Sequence, residues 1–193
     1  MIIGIDVDGV LVDMQNYQLK YGKEYFANRT DIQVVNPKGY DICDTFQCPR
    51  EDRERFWTKY IWRYCLKEPM TKGAAKTVQE WKKQGHAIYI ITSRAHTTEH
   101  NLTGWVFRWM LKHWLRKNDL HYDKIFFCSE ADSATDKYDI CIREKVDVMI
   151  DDKAENLLPM LGILKVVCYP AVWNEDCREL DAYRVKGFEE IRL

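Results

Sequence analysis

The apolar positions of this chain fall into two rhythms. Short, nearly continuous apolar runs occur at IIGID (2–6), AIYIIT (87–92), KIFFC (124–128), VDVMID (146–151) and KVVCY (165–169). Runs of that kind suit strands covered on both faces, as in a parallel sheet. Between them, GAAKTVQEWKKQG, TEHNLTGWVFRWMLKHWLRKN, TDKYDICIREK and AENLLPML repeat apolar residues at spacings of three and four, the pattern of helices with one buried face. Strand alternating with helix predicts an α/β fold, a three-layer Rossmann-like open parallel sheet with right-handed crossovers. Ligands of such sheets sit at the carboxyl ends of the strands, beside the point where strand order reverses.

One interval breaks the alternation. From Asp13 to Thr71 there is no comparable strand run, but YQLKYGKEYF and REDRERFWTKYIWRYCL are helical in pattern and rich in aromatics. Nearly sixty residues is too long for a plain loop in a compact domain. The pattern predicts a small helical cap at residues 14–71, inserted after strand 1 and left at EPMTKGA, where Pro69 and Gly73 punctuate the return. Residues 1–13 and 72–193 then form the core domain. The tryptophans at 105, 109 and 114 are expected to pack their helix against the sheet.

Composition narrows the function classes. The chain has 193 residues, with 29 Lys plus Arg against 30 Asp plus Glu, so no basic or acidic surface points to a nucleic-acid polymer or a membrane. No apolar run approaches the ~18 residues needed to cross a bilayer, and no secretory leader is evident. Seven cysteines without a C-x-x-C pair argue against both a disulfide framework and a structural zinc site. These features together predict a cytoplasmic protein; they leave monomer and homodimer equally open.

Chemistry collects at the strand ends. Strand 1 stops on Asp6 and Asp8, flanking Val7, before Gly9. If strand geometry persists, residues two apart face the same way, and two such anions call for an offsetting hard cation, magnesium above all. Strand 2 ends in Thr92 and Ser93, whose hydroxyls and following N–H groups suit an anion such as phosphate. Strand 4 ends in Asp151 and Asp152, and Lys137 opens the helix before it. Each is an ordinary helix cap when taken singly; four in order at strand ends are a pattern.

With these residues in view, the sequence resembles the haloacid dehalogenase superfamily of phosphohydrolases. DVDGVL is similar to its first motif, IIT to the second, Lys137 to the third and IDD to the fourth, in the superfamily's order and across the whole chain. The short cap, of C1 type, and the stretches GHAIYIITSR and VDVMIDDKAEN resemble more narrowly the 5′(3′)-deoxyribonucleotidase-like branch and its bacterial relatives. The resemblance implies a Mg²⁺-dependent phosphomonoester hydrolase, most plainly a 5′-nucleotidase on (deoxy)nucleoside monophosphates. Asp6 would be the nucleophile and Asp8 the proton shuttle. Thr92, Ser93 and Lys137 would bind phosphate. Metal would be held by Asp6, the backbone carbonyl of Asp8 and Asp151, with Asp152 as an outer partner.

Alternatives remain at this stage. A phosphatase for a sugar or cofactor phosphate, or a binding protein with a vestigial site, would share the same motifs. Phe46, Phe56, Trp57, Tyr60, Trp62 and Tyr64 of the cap either touch substrate or form the cap's own core. Met14 stands where the pyrimidine nucleotidases of the branch carry an aromatic. HTTEH at 96–100 also fits the H-x-x-E-H pattern of a zinc peptidase, which would need a helix there and a further ligand. Arg94 and His96, just beyond strand 2, lie where they could reach substrate.

Overall fold

In the computed structural model, which describes residues 1–193, five parallel strands form one sheet. They are β1 (Ile2–Ile5), β2 (Ala87–Thr92), β3 (Lys124–Phe127), β4 (Val148–Asp151) and β5 (Lys165–Cys168). Their spatial order is β3-β2-β1-β4-β5. Each agrees with an apolar run of the sequence to within one or two residues. The chain builds outward from β1 to β3, then returns to the other side of β1 for β4. Strand order therefore reverses between β1 and β4, which is where the fold opens a crevice.

Side chains alternate across the sheet, as period two requires. Ile3, Ile5, Ile88, Ile90, Val148 and Ile150 point into one large buried cluster. Tyr89, Ile91, Met149, Val166 and Cys168 point into a smaller one on the opposite face. Helices α4 (Ala74–Lys83), α5 (Leu102–Lys117), α6 (Ser133–Arg143) and α7 (Ala154–Leu157) connect the strands. Helix α5 buries Phe107, Met110, Leu111, Trp114 and Leu115. Trp105 and Trp109 lie off that face and are 59% and 48% exposed, so only Trp114 of the three tryptophans packs inward as expected. A 3.6-residue period allows one stripe, and positions 105 and 109 fall on its far side.

Between β1 and α4 run three more helices, α1 (Met14–Tyr25), α2 (Ile42–Phe46) and α3 (Arg50–Lys67). They pack on one another through an aromatic cluster in which Tyr17 lies 4.5 Å from Tyr21 and 4.8 Å from Tyr64, centroid to centroid. Gly22 lets α2 come close, since a Cβ there would sit 2.4 Å from the Phe46 ring. Asp13 caps α1, and Asp41 and Asp44 form a reciprocal capping box on α2. The chain enters and leaves this insertion side by side. Val12 bridges Met70 in antiparallel fashion, and the Thr71 N–H donates to the Leu11 carbonyl at 2.8 Å. No helix is long and apolar enough to cross a membrane.

Candidate active site

The crevice between β1 and β4 gathers residues from distant parts of the chain. Asp6 directly follows β1, and its N–H still donates to the Ile150 carbonyl at 3.0 Å, which keeps it in register with β4. Asp151 ends β4 fully buried. Asp152 comes next, held close by Gly9: that residue turns at φ +88, and a Cβ on it would lie 2.2 Å from Asp152 Oδ2. One carboxylate oxygen from each of Asp6, Asp151 and Asp152 lies within 4.8 Å of the others.

Lys137 sits among them. The sequence reading put it at the opening of a helix, but α6 begins at Ser133, so Lys137 projects from within the first turns, where its side chain is wholly buried. Its Nζ donates to Asp151 Oδ2 at 2.6 Å and lies 3.0 Å from Asp6 Oδ1. Burial would lower the ammonium's pKa, yet Asp151 and Asp6 outweigh it and hold the group charged. The balance is uneven: one ammonium faces three carboxylates. Burial raises the Asp6 carboxyl to about 6 against the opposing pull of Lys137, with repulsion from Asp151 and Asp8 adding to the rise. Burial and Asp151 push Asp152 well above the carboxylate range.

Asp8 is held separately. Strand geometry ends at Ile5, so regular alternation stops short of Asp6 and Asp8, yet both line the same cavity. The Asp8 carboxylate accepts from Arg94 Nη2 at 2.5 Å, from Arg94 Nε at 3.1 and 3.2 Å, and from the Tyr64 hydroxyl at 2.6 Å. It lies outside the three-carboxylate group; the metal contact expected of Asp8 was through its backbone carbonyl. Burial alone would raise its pKa, but Arg94 and Tyr64 together hold it below the usual value. Arg94 is itself buried, with its guanidinium 5.0 Å from the Tyr64 ring centroid and 5.9 Å from that of Trp114.

Several supporting residues carried no recognisable signal in the sequence. Asn156 Nδ2 donates to both oxygens of Asp151 at 3.0 Å. Ser133 Oγ reaches Asn156 Oδ1 at 3.2 Å and Ser93 Oγ at 2.9 Å, linking the ends of β2 and β4. The Trp173 indole donates to Asp152 Oδ2 at 2.9 Å, and Asn174 Nδ2 donates to the carbonyls of Asp152 and Tyr169. Arg184 in turn donates to Asn174 Oδ1. Trp173 and Asn174 lie in a short 3-10 segment after β5, where no periodicity distinguishes them from a loop.

Above the carboxylates opens a cavity of about 610 Å³. Asp6, Asp8, Thr92, Ser93, Arg94 and His96 line it from the sheet side, and Met14, Gln18, Tyr40, Trp57, Trp62 and Tyr64 from the insertion. Of the cap aromatics singled out in the sequence, Trp57, Trp62 and Tyr64 reach the cavity. Phe46, Phe56 and Tyr60 are buried within the insertion's own core. Buried side-chain polar atoms without a hydrogen-bond partner gather at this site: Gln18 Oε1, Thr92 Oγ1, Arg94 Nη1 and Asp152 Oδ1 have none, while Asp6 Oδ1 and Arg53 Nε have only ion pairs, to Lys137 at 3.0 Å and to Asp41 at 3.2 Å. Leaving such an atom unpaired costs about 1–3 kcal/mol, so their concentration in one place marks where a polar ligand is awaited. The HTTEH stretch forms turns rather than a helix, with His96 at φ +62. Its His96 Nδ1 lies 2.5 Å from Glu99 Oε1, and neither histidine joins a metal-ligating group.

A parallel five-stranded sheet with acidic residues at its switch point and a helical insertion after the first strand is the architecture of haloacid dehalogenase-like hydrolases. Solved structures agree. The haloacid dehalogenase-like hydrolase SP0104 of Streptococcus pneumoniae superposes with a TM-score of 0.59 at 14% identity, over 88% of this chain and 84% of that one. A β-phosphoglucomutase of Clostridium difficile gives 0.62 at 12% identity, over 100% and 94%. By sequence, a protein of Bacillus cereus provisionally named a nucleotidase is 25% identical over 169 residues, 84% of this chain and 82% of its own length. The family described as "5′ nucleotidase, deoxy (Pyrimidine), cytosolic type C protein" matches residues 1–192. The chain belongs to that family, and it is a phosphomonoester hydrolase of the haloacid dehalogenase superfamily.

Proposed function

We propose that the chain is a Mg²⁺-dependent 5′-nucleotidase that hydrolyses (deoxy)nucleoside monophosphates through an aspartyl-phosphate on Asp6. The observation that carries this reading is the meeting of Asp6 and Thr92 in the lining of one cavity, with Lys137 buried against Asp6 and joining it to Asp151, and with unpartnered polar atoms collected around them.

The donor set fits a hard divalent cation. Three buried carboxylates confront a single ammonium, and Asp152 Oδ1 lacks a hydrogen-bond partner. Asp6, the backbone carbonyl of Asp8 and Asp151, with Asp152 beside them, would hold Mg²⁺, whose charge would offset the carboxylates and polarise the phosphoryl group. The chain's own residues account for the remaining chemistry. The unpaired Thr92 hydroxyl and the Lys137 ammonium bind the equatorial phosphoryl oxygens. They thereby place the phosphorus in line with Asp6. An Asp6 oxygen forms a bond to phosphorus as the ester P–O bond breaks, and Asp8 gives its proton to the departing alkoxide. Water then attacks the acyl phosphate, Asp8 takes its proton, and phosphate leaves. Arg94 and Tyr64 hold the Asp8 carboxyl below its usual pKa, which favours the form that accepts this second proton; the first transfer draws on its protonated form, which that second proton restores for the next cycle.

In this reading residues 14–71 form a cap over a core of residues 1–13 and 72–193. The cap closes the phosphate site to water and shapes the pocket for the rest of the substrate. All seven cysteines are free thiols, which supports a reducing compartment, the cytoplasm. A panel of phosphomonoesters assayed with Mg²⁺ tests the assignment: nucleoside monophosphates should lead, and preference for sugar phosphates over every nucleotide would overturn it. Asp6→Asn should lower kcat by about 10⁴-fold or more, since the variant loses the attacking carboxylate; substantial residual turnover would exclude the covalent route through Asp6.

A further inference from the structure

Gln18 is an unusual residue to find in the wall of this cavity. It lies one turn beyond Met14 on α1, on the same helix face, and is 2% exposed. Its Nε2 donates to the Tyr40 carbonyl at 3.0 Å. A backbone carbonyl only accepts, so this bond settles which end of the amide is which: the NH₂ faces Tyr40, and Oε1 faces the other way without a partner. The amide is thus locked with its acceptor unspent, in the wall of the cavity that Asp6 and Thr92 also line.

We propose that Gln18 is a specificity-determining residue that reads a nucleobase by accepting a hydrogen bond from a base N–H into Oε1. The proposal rests on the nucleotidase reading above and deepens it. Two features of the cavity point to a nucleobase. Trp57, Tyr64 and Tyr40 supply aromatic surface on the insertion side, suited to a π-face. The free oxygen of Gln18 is kept dry, which is costly unless a donor arrives. All nucleobases carry such a donor on the edge used for pairing. A site built around a buried hydrogen-bonding group rejects the analogue lacking its partner far more strongly than an apolar pocket rejects a missing methylene.

The test uses two probes that differ only in the base, deoxyuridine 5′-monophosphate and the abasic deoxyribose 5-phosphate, together with N3-methyldeoxyuridine 5′-monophosphate, which lacks the ring N–H. For the unaltered enzyme, N3-methylation should lower kcat/KM by about ten- to hundred-fold, chiefly through KM, and this needs no variant to fold. In Gln18→Leu, the ratio of kcat/KM for deoxyuridine monophosphate over the abasic probe should fall by a similar factor, and the penalty for N3-methylation should disappear. A ratio unchanged by Gln18→Leu, or an N3-methyl penalty that persists in the variant, would overturn the role of Gln18 while leaving a nucleotidase in place. Equal turnover of the abasic probe and the nucleotide by the unaltered enzyme would instead defeat the nucleotidase reading itself.

Discussion

At the residue scale, the site divides into side chains that announce themselves and side chains that do not. Asp6, Asp8, Thr92 and Asp151 stand at the ends of recognisable apolar runs or just beyond them, where a polar group interrupting a strand is informative; Lys137, inside α6, gains meaning from its place between two such ends. Asn156 is just as closely engaged, donating to both oxygens of Asp151, yet in the sequence it is one polar residue in a short helix. Its partner comes from a strand end five positions earlier, a spacing that favours no particular contact. Arg94, read in the sequence as able to reach substrate, grips Asp8 instead. Partners that orient metal-ligating carboxylates typically matter 10- to 100-fold in metal affinity. Asn156→Ala should therefore weaken Mg²⁺ binding by about that factor, read by titrating the cation against the protein's thermal unfolding; an unchanged affinity would assign Asn156 to packing alone.

At the scale of elements, the strands were legible almost to the residue because their runs are short, apolar on both faces and bounded by turns. Helix faces were less so. Counting tryptophans on α5 suggested a common burial that its period does not permit, and only Trp114 reaches the core. Helix α2 and the 3-10 segments after β5 are too short for any period to show. Asp123 shows how an edge element is tied in. Its carboxylate accepts from the Ile88 N–H at 2.7 Å and from Lys82 Nζ at 2.6 Å, clipping the start of β3 to β2 and α4. Burial opposes ionisation here, but these donors prevail and hold the group below its ordinary value of 3.8. Because the folded pKa is depressed, the contribution is complete above 3.8 and is lost as pH falls through the lower folded value. Urea unfolding should find Asp123→Asn less stable than the parent at pH 7, with the gap narrowing towards pH 2. A gap independent of pH would mean that the carboxylate's charge is not what ties the strand in.

At the scale of the whole molecule, the carboxylate cluster couples the chemistry to stability. Asp6, Asp151 and Asp152 leave a buried surplus of negative charge beside Lys137. A cation that binds only the folded chain stabilises it by about 2.7 kcal/mol at a hundred times its Kd, or several degrees in unfolding temperature for a chain of this length. Calorimetry with saturating Mg²⁺ against a chelator should show that shift, and Asp151→Asn should shrink it; coincident transitions would place the cation elsewhere or nowhere.

The neighbouring entry and exit of the helical insertion, Val12 beside Met70, have an evolutionary corollary. The insertion returns the chain to the sheet where it left it, so the pairing of β1 with β2 does not depend on how many residues lie between them. Because α3 also packs along α5 and sends Tyr64 to Asp8, descendants are free to vary the insertion only at positions away from those two contacts.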